Sequence, residues 1–366
     1  TVTDDGAGNV VLHFSGGTML KTAGRAYDQP WRADYASKIT EIDFDGPVTA
    51  DKDLSDIFEN LSSLTTVRHA ELLDTSNTTN MAYMFADDDK LTTVNGINSW
   101  NTANVTDLTR MFFSDWKLTS LDVNSWDTSN VTTMTEIFEQ TGLISLDLSN
   151  WKTGKVTDLG GMFGGDSHLT SLNLIGPGWN TANVTNMGGL FGSTNIANLL
   201  NNVRNWNTAK VTNMAAMFYQ ANLTSWDIEN WDTSQVTSMN MMLSGNSFSS
   251  LNLNNWDTSK VTNMANLFSD NSELQQLSID KWQTSQVTDM SGMFEDCVSL
   301  ISLDANQWDT SSLTNLTTIF RYCEQLTTLK INLWNVSKVT DAEGVFDYCS
   351  ASVSYTHLTL PTICSV

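Results

Sequence analysis

The chain has 366 residues, with 41 Asp and Glu against 18 Lys and Arg, a formal net charge of -23 at pH 7. Such a surface repels polyanions, which argues against a nucleic-acid partner. No apolar run reaches the roughly eighteen residues of a transmembrane helix, and Thr1 to Val10 lacks the basic and apolar regions of a signal peptide.

In chain order, residues 1–50 are expected to form an N-terminal cap, with strand-like VVLHF (10–14) and ITEIDF (39–44) and with Trp31 outside any later register. LSDIFENLSSLTTV (54–67) joins this cap to an array that fills 51–350. The array declares itself by repetition: WDTSNVTTMTEIF from Trp126 returns as WDTSQVTSMNMML from Trp231, WDTSKVTNMANLF from Trp256 and WQTSQVTDMSGMF from Trp282. Trp100, Trp126, Trp151, Trp179, Trp206, Trp231, Trp256, Trp282, Trp308 and Trp334 lie 25 to 28 residues apart, and Leu73 holds the same slot in an earlier copy, giving eleven copies. Self-similarity at a fixed period signals one stacked array rather than two ordinary domains.

Each copy reads as two elements. Five residues past the Trp slot stands an apolar residue in nearly every copy, and the next is Thr in all, from Thr79 to Thr340. Thr at that place suits the N-cap of a short helix. The following Met and Phe columns keep helical spacing, as with Val261, Met264, Leu267 and Phe268. Next comes Leu-x-x-Leu-x-Leu, as in Leu169, Leu172 and Leu174, whose last three positions alternate in and out like a half-buried strand. No single copy carries enough apolar surface to offset the ordering cost of its own backbone, so copies must stack. The expected fold is a repeat solenoid, leucine-rich-repeat-like, with short parallel strands on one face and short helical turns opposite.

The tandem W-D-T-S-x-V-T-x-M-x-x-M-F resembles the BspA-type leucine-rich repeats of bacterial surface proteins, particularly the Gram-positive class. The resemblance covers residues 50 to 350 approximately. It implies a secreted, wall-displayed protein that adheres to host or neighbouring cells through a surface protein or glycan. The alternative is a passive structural stalk that spaces another domain from the wall.

Several features have a plainer reading beside the functional one. Cys297, Cys323 and Cys349 share a small-residue slot with Asp88, Asp115, Thr141, Asp166, Thr194, Ala221, Asn246 and Asn271. Stacked free thiols, a disulfide between neighbouring turns and a metal site are all open, although no His pairs with these cysteines in sequence. Asp127, Asp232, Asp257 and Asp309 suit turn hydrogen bonds better than a calcium ladder, because other copies place Lys152, Asn180, Asn207 or Gln283 there. A Trp column replaceable by Leu73 suits buried corner fillers better than sugar-stacking platforms. No nucleophile and base, phosphate loop or carboxylate pair stands outside the repeat, so neither catalysis nor a cofactor is expected, and a monomer is.

Binding is expected on the strand face, where outward positions form a polar column: Ser120, Asp122, Ser145, Asp147, Asn173, Asp227, Asn252, Asp304 and Lys330. Asp122 beside Asp147 is read there as like-charge repulsion that folding alone does not favour. The tail ASVSYTHLTLPTICSV (351–366) breaks every column. Its Leu360-Pro361-Thr362 departs from a sortase signal, since Ile363 and Cys364 stand where Thr and Gly belong. Val353 to Thr362 back-translates in one frame as GTC TCT TAT ACA CAT CTG ACG CTG CCG ACG, the transposase adapter of sequencing libraries. The tail is therefore expected to be non-native, with further turns and a wall anchor following in the full-length protein.

Overall fold

The computed structural model describes residues 1–20, 29–196, 199–228 and 231–351. The tail beyond Ala351, with Cys364, lies outside them. Two compact units are present, Thr1–Val184 with Thr194–Val203, and Thr185–Ser193 with Arg204–Val366. Each is a parallel, leucine-rich-repeat-like solenoid. One bridging residue per turn counts the turns: Asp53, Asn80, Asp107, Thr133 and Asp158 in the first unit, then Asn186, Asn213, Ser238, Asn263, Asp289, Asn315 and Asp341 in the second. The turn at Asp53 is one more than the eleven copies legible in sequence, because Lys52 replaces the column Thr and Val48, not Trp, pairs with Leu73.

In the first unit, Val10–Phe14, Glu41–Phe44, Thr66–Arg68 and Thr93–Val94 stack in parallel, with Val2–Asp4 antiparallel on the outer edge. Gly17–Met19, Val48–Ala50 and Leu73–Asp74 make a second parallel ladder. Further along, Ser145–Asp147 pairs with Ser171–Asn173. The second unit pairs Ser250–Asn252 with Gln276–Ser278, and Ser302–Asp304 with Thr328–Lys330. Strands stay short, two to five residues, because the chain must turn at both ends to close each coil.

Opposite the strands, tight turns take the place of the expected Thr-capped helical turn. Met84 N–H bonds Met81 O at 3.3 Å and Ala86 N–H bonds Tyr83 O at 3.1 Å. Tyr83 and Asp87 are left-handed, with φ of 58° and 62°. Such a pair, four residues apart, recurs in each turn, as Arg110 and Ser114, Gly161 and Gly165, or Gly292 and Asp296. A left-handed L-residue costs about 1–2 kcal/mol and stops an α-helix. What offsets that cost is a ladder between turns: Met81, Tyr83, Phe85 and Asp87 donate their N–H groups to the carbonyls of Asp107, Thr109, Met111 and Phe113. Both geometries bury every third or fourth side chain, so Val261, Met264, Leu267 and Phe268 are buried as expected although the path is not helical.

The threonines bind the turns together and are not N-caps. Thr132 donates both its N–H (2.9 Å) and its Oγ1–H (3.1 Å) to Thr106 O, and Thr106 treats Thr79 O the same way. The turn-starting role falls to the residue after each Thr, as Asn80 Oδ1 accepts the Ala82 N–H and Asp107 Oδ1 that of Thr109. Because the carbonyl keeps its N–H donor, Thr132→Val is expected to cost only about 0.5 kcal/mol, the low end for a lost hydrogen bond. Urea unfolding checks this; a loss above about 2 kcal/mol would restore a capping role.

The core consists of aromatic ladders. Phe112 and Phe138 stack at 6.1 Å and 8°, and Phe294 and Phe320 at 5.5 Å and 2°. The Trp column is the buried corner filler its register suggested: Trp100, Trp126 and Trp151 stack at 6.3 Å, each donating its indole N–H to a carbonyl one turn back. In the second unit Trp226 intrudes edge-on against Trp256 (5.8 Å, 75°), whose buried Nε1 has no partner among the described residues.

Candidate functional site

The strand face is built by alternation. Leu146, Leu172, Leu251, Leu303 and Leu329 point into the core, so their neighbours face outward, and all nine polar positions singled out in the sequence are exposed. In the first unit Ser145 and Asp147 pair in register with Ser171 and Asn173. Ser120 and Asp122 hold the same column on a segment that forms no strand, as does Asp227 in the second unit. There Asn252 pairs in register with Ser278, and Asp304 with Lys330.

The column is less repulsive than its acids suggest. The Asn173 amide donates to Asp147 Oδ1 at 3.0 Å and the Asn98 amide to Asp122 Oδ2 at 3.3 Å. Lys330 Nζ sits 2.7 Å from Asp304 Oδ2, and Arg204 pairs with Asp227. The hydrogen bond from Lys330 holds the Asp304 carboxyl below its ordinary range. Asp147, Asn173, Asn252 and Asp304 also have a local task, each accepting the N–H two residues on. The expected clash of Asp122 with Asp147 is thus softened by amides, because each acid finds a donor in an adjacent turn.

Beside this face in the first unit, a cavity of about 670 Å³ opens between Asn124, Trp126, Asp127, Asn150, Lys152 and Pro177. Its polar rim is partly committed, since Asn124 Oδ1 accepts the Asn150 N–H and Lys152 reaches Asp127 at 3.2 Å. Asp127 is held below its usual range, first by the Ser129 hydroxyl. Asp232, Asp257 and Asp309 likewise accept the N–H two residues on, which makes them turn residues.

The cysteines Cys297, Cys323 and Cys349 are free thiols, each donating to the Phe-slot carbonyl of the preceding turn at 3.0–3.1 Å. Burial pushes all three up. Sequence reasoning did not pick out two other groupings. His13, Asp43 and Asp45 converge within 4.8 Å in the cap, satisfied by His13–Asp45 and His69–Asp43 contacts of 2.9 and 2.7 Å. His13 comes from one strand and Asp43 and Asp45 from the next and its end, thirty residues on, so no short spacing could signal the group. Asp88, Asp115 and Asp166 are fully buried, and the signal for them was present: a charged residue in a slot otherwise filled by Cys, Ala, Thr or Asn.

These features define a leucine-rich-repeat-like solenoid with a polar outer strand face. A family described as "Mycoplasma protein of unknown function, DUF285" matches residues 52–176, 167–250 and 243–357, and the chain belongs to it. Among solved structures, it is similar to a leucine-rich repeat protein from Eubacterium ventriosum (13% identity, 98% of this chain, 94% of that chain, TM-score 0.44). It is also similar to the functional domain of InlJ from Listeria monocytogenes, described as including a cysteine ladder (16% identity, 81% and 67% covered, TM-score 0.33). A third likeness is to the Toll–Spatzle complex of Drosophila (15% identity, 89% and 42% covered, TM-score 0.25). No curated protein matches the chain. Among the described residues, no helix is long and apolar enough to cross a membrane.

Proposed function

We propose that the chain is a non-catalytic binding module of the BspA type, displayed on a bacterial cell surface and adhering through its strand face to a protein or glycan of a host or neighbouring cell. The full-length protein would be extracellular and wall-anchored, and this part of it a monomer. One observation carries the reading: the nine positions of the column named from sequence are all polar and exposed, while Leu146, Leu172, Leu251, Leu303 and Leu329 beside them are committed to the core. Small hydroxyls at Ser120, Ser145, Ser171, Ser250 and Ser302 leave room for a partner, and the neighbouring acids supply a field that draws basic or hydroxyl-rich surfaces by many weak contacts. A passive stalk is the second reading, favoured by the turn hydrogen bonds of Asp147 and Asp304, which give these acids a structural reason to exist.

Changing Asp122, Asp147, Asp227 and Asp304 together to Asn separates the two. Asn keeps the turn-forming oxygen, as Asn173 and Asn252 already do, and removes only charge. Stability is expected to move by no more than about 1–2 kcal/mol, because the Lys330 and Arg204 pairs are exposed. Adhesion to host cells or matrix is expected to be salt-sensitive in the parent and lost in the variant. Unchanged adhesion leaves the stalk.

A further inference from the structure

We propose that Asp88, Asp115 and Asp166 are neutral acids in the folded chain, each donating its Oδ2 proton to a phenylalanine carbonyl of the preceding turn, so that acid strengthens the N-terminal unit. The other members of this slot show what it requires. Cys297 Sγ donates to Phe268 O at 3.1 Å, Cys323 Sγ to Phe294 O at 3.1 Å, and Asn246 Nδ2 to Phe218 O at 2.9 Å. Each reaches back one turn with a hydrogen. In register, the carbonyls facing Asp88, Asp115 and Asp166 are those of Phe58, Phe85 and Phe138.

Those carbonyls have lost their usual donor. Elsewhere the slot N–H closes onto the Phe carbonyl of its own turn, as Cys297 does to Phe294 (3.1 Å) and Ala221 to Phe218 (3.2 Å). In the turn before each aspartate it goes instead to that aspartate's carboxyl: Leu61 to Asp88 Oδ1 (2.6 Å), Asp88 to Asp115 Oδ1 (3.0 Å) and Thr141 to Asp166 Oδ1 (2.7 Å). Among the described residues no N–H reaches Phe58, Phe85 or Phe138 O. The second carboxyl oxygen of each aspartate is buried without a partner among the described residues. An ionised Oδ2 would leave two acceptors in each turn without a hydrogen, whereas one proton satisfies both.

The surroundings favour that proton. Burial first, then Asp115 and Asp87, raise Asp88 well above the ordinary range, against the opposing Arg32 guanidinium. Asp115 is raised by burial and faces Asp87 and Asp89 as well as Asp88. Asp166 is raised by burial and faces Glu139, itself pushed up to about 7 by burial and Glu136. An unfolded Asp titrates near pH 3.9, so between there and the folded value the fold holds a proton that the unfolded chain has released. The stabilisation is complete below about pH 4 and is lost as pH rises, each such group lowering the folding equilibrium constant about tenfold per pH unit. The second unit carries Ala221, Asn246, Asn271, Cys297 and Cys323 in this slot and has no such dependence from it.

The test is urea unfolding of the full chain at about pH 4.5 and about pH 8, for the parent, D88N, D115N, D166N and the triple variant. Asn supplies at Oδ2 the N–H donor that Asn246 and Asn271 use. At the higher pH each variant is expected to be at least tenfold more stable in its folding equilibrium than the parent, and the triple variant to lose the parent's fall with pH. The Glu139→Gln chain, which lacks that other raised acid, should also show near pH 6 an infrared carbonyl band of neutral carboxylic acid. A parent profile parallel to that of the triple variant, or absence of that band, overturns the proposal. The infrared result decides it if any variant does not fold.

Discussion

Replacing Trp151 by Ala is expected to destabilise the N-terminal unit by about 3–5 kcal/mol, the range for emptying a large aromatic site in a core. The ring is fully buried, stacks on Trp126 at 6.3 Å and leans on Phe138 at 6.0 Å. Its indole N–H also holds Val123 O at 2.9 Å. In a solenoid the hole is felt by the turns on both sides, since each ring is the floor of one turn and the ceiling of the next. Trp256 provides the control, because its Nε1 makes no hydrogen bond among the described residues. Trp151→Phe should therefore cost about 1 kcal/mol more than Trp256→Phe, the difference being one hydrogen bond. A loss below about 1 kcal/mol for Trp151→Ala on chemical denaturation would mean that the column does not carry the stack.

Gly176→Ala is expected to destabilise by about 3 kcal/mol or more, at the top of the range for overpacking, because the obstacle is backbone. A Cβ at Gly176 would lie 1.7 Å from Ser149 O and 2.7 Å from its carbonyl carbon. Gly178 is similarly confined, with Trp151 O at 2.3 Å. Neither glycine has a left-handed φ, so conformational freedom is not what they supply; they let Ile175 to Gly178, in the longest copy of the repeat, lie directly on the turn before. Gly154→Ala is the matched control, its nearest neighbour being Asn180 Nδ2 at 3.8 Å, and should be close to neutral. Equal thermal midpoints for the two variants would show that the Gly176 segment yields freely.

The solenoid, its phase and its core were legible from the Trp, Val and Phe columns, because a side chain buried in every turn must recur in every copy. The outward column was legible for the same reason, through the alternation that puts Leu146 inside and Asp147 outside. The local path opposite the strands was not. Spacings of three and four residues fit a helix and also fit successive turns with left-handed residues four apart. The discriminating signal was the residue type at those two places: Gly161 with Gly165, Asn266 with Asp270 and Gly292 with Asp296 suit a left-handed backbone and weaken a helix. Thr79 to Thr340 misled because a hydroxyl that caps a helix and one that ties two coils look alike in one dimension. The cap's His13, Asp43 and Asp45 could not be foreseen, since only strand register brings them together.

The parallel register from turn to turn has a genetic consequence. Thr106 meets Thr79 as Thr132 meets Thr106, and Trp282 meets Trp308 as Trp308 meets Trp334. A crossover between two such copies removes or adds a whole coil and leaves each new junction with the partners it already knew. Copy number is then free to drift by unequal recombination at about 4.8 Å of stack per event. Loss of a single codon between the column residues of a strand or tight turn, by contrast, takes the columns of that coil off their partners, whereas the links between elements already absorb spacings of 25 to 28 residues. Selection therefore sees two kinds of length change in one gene: lineages can differ by whole coils while the column spacing within each strand and tight turn is held.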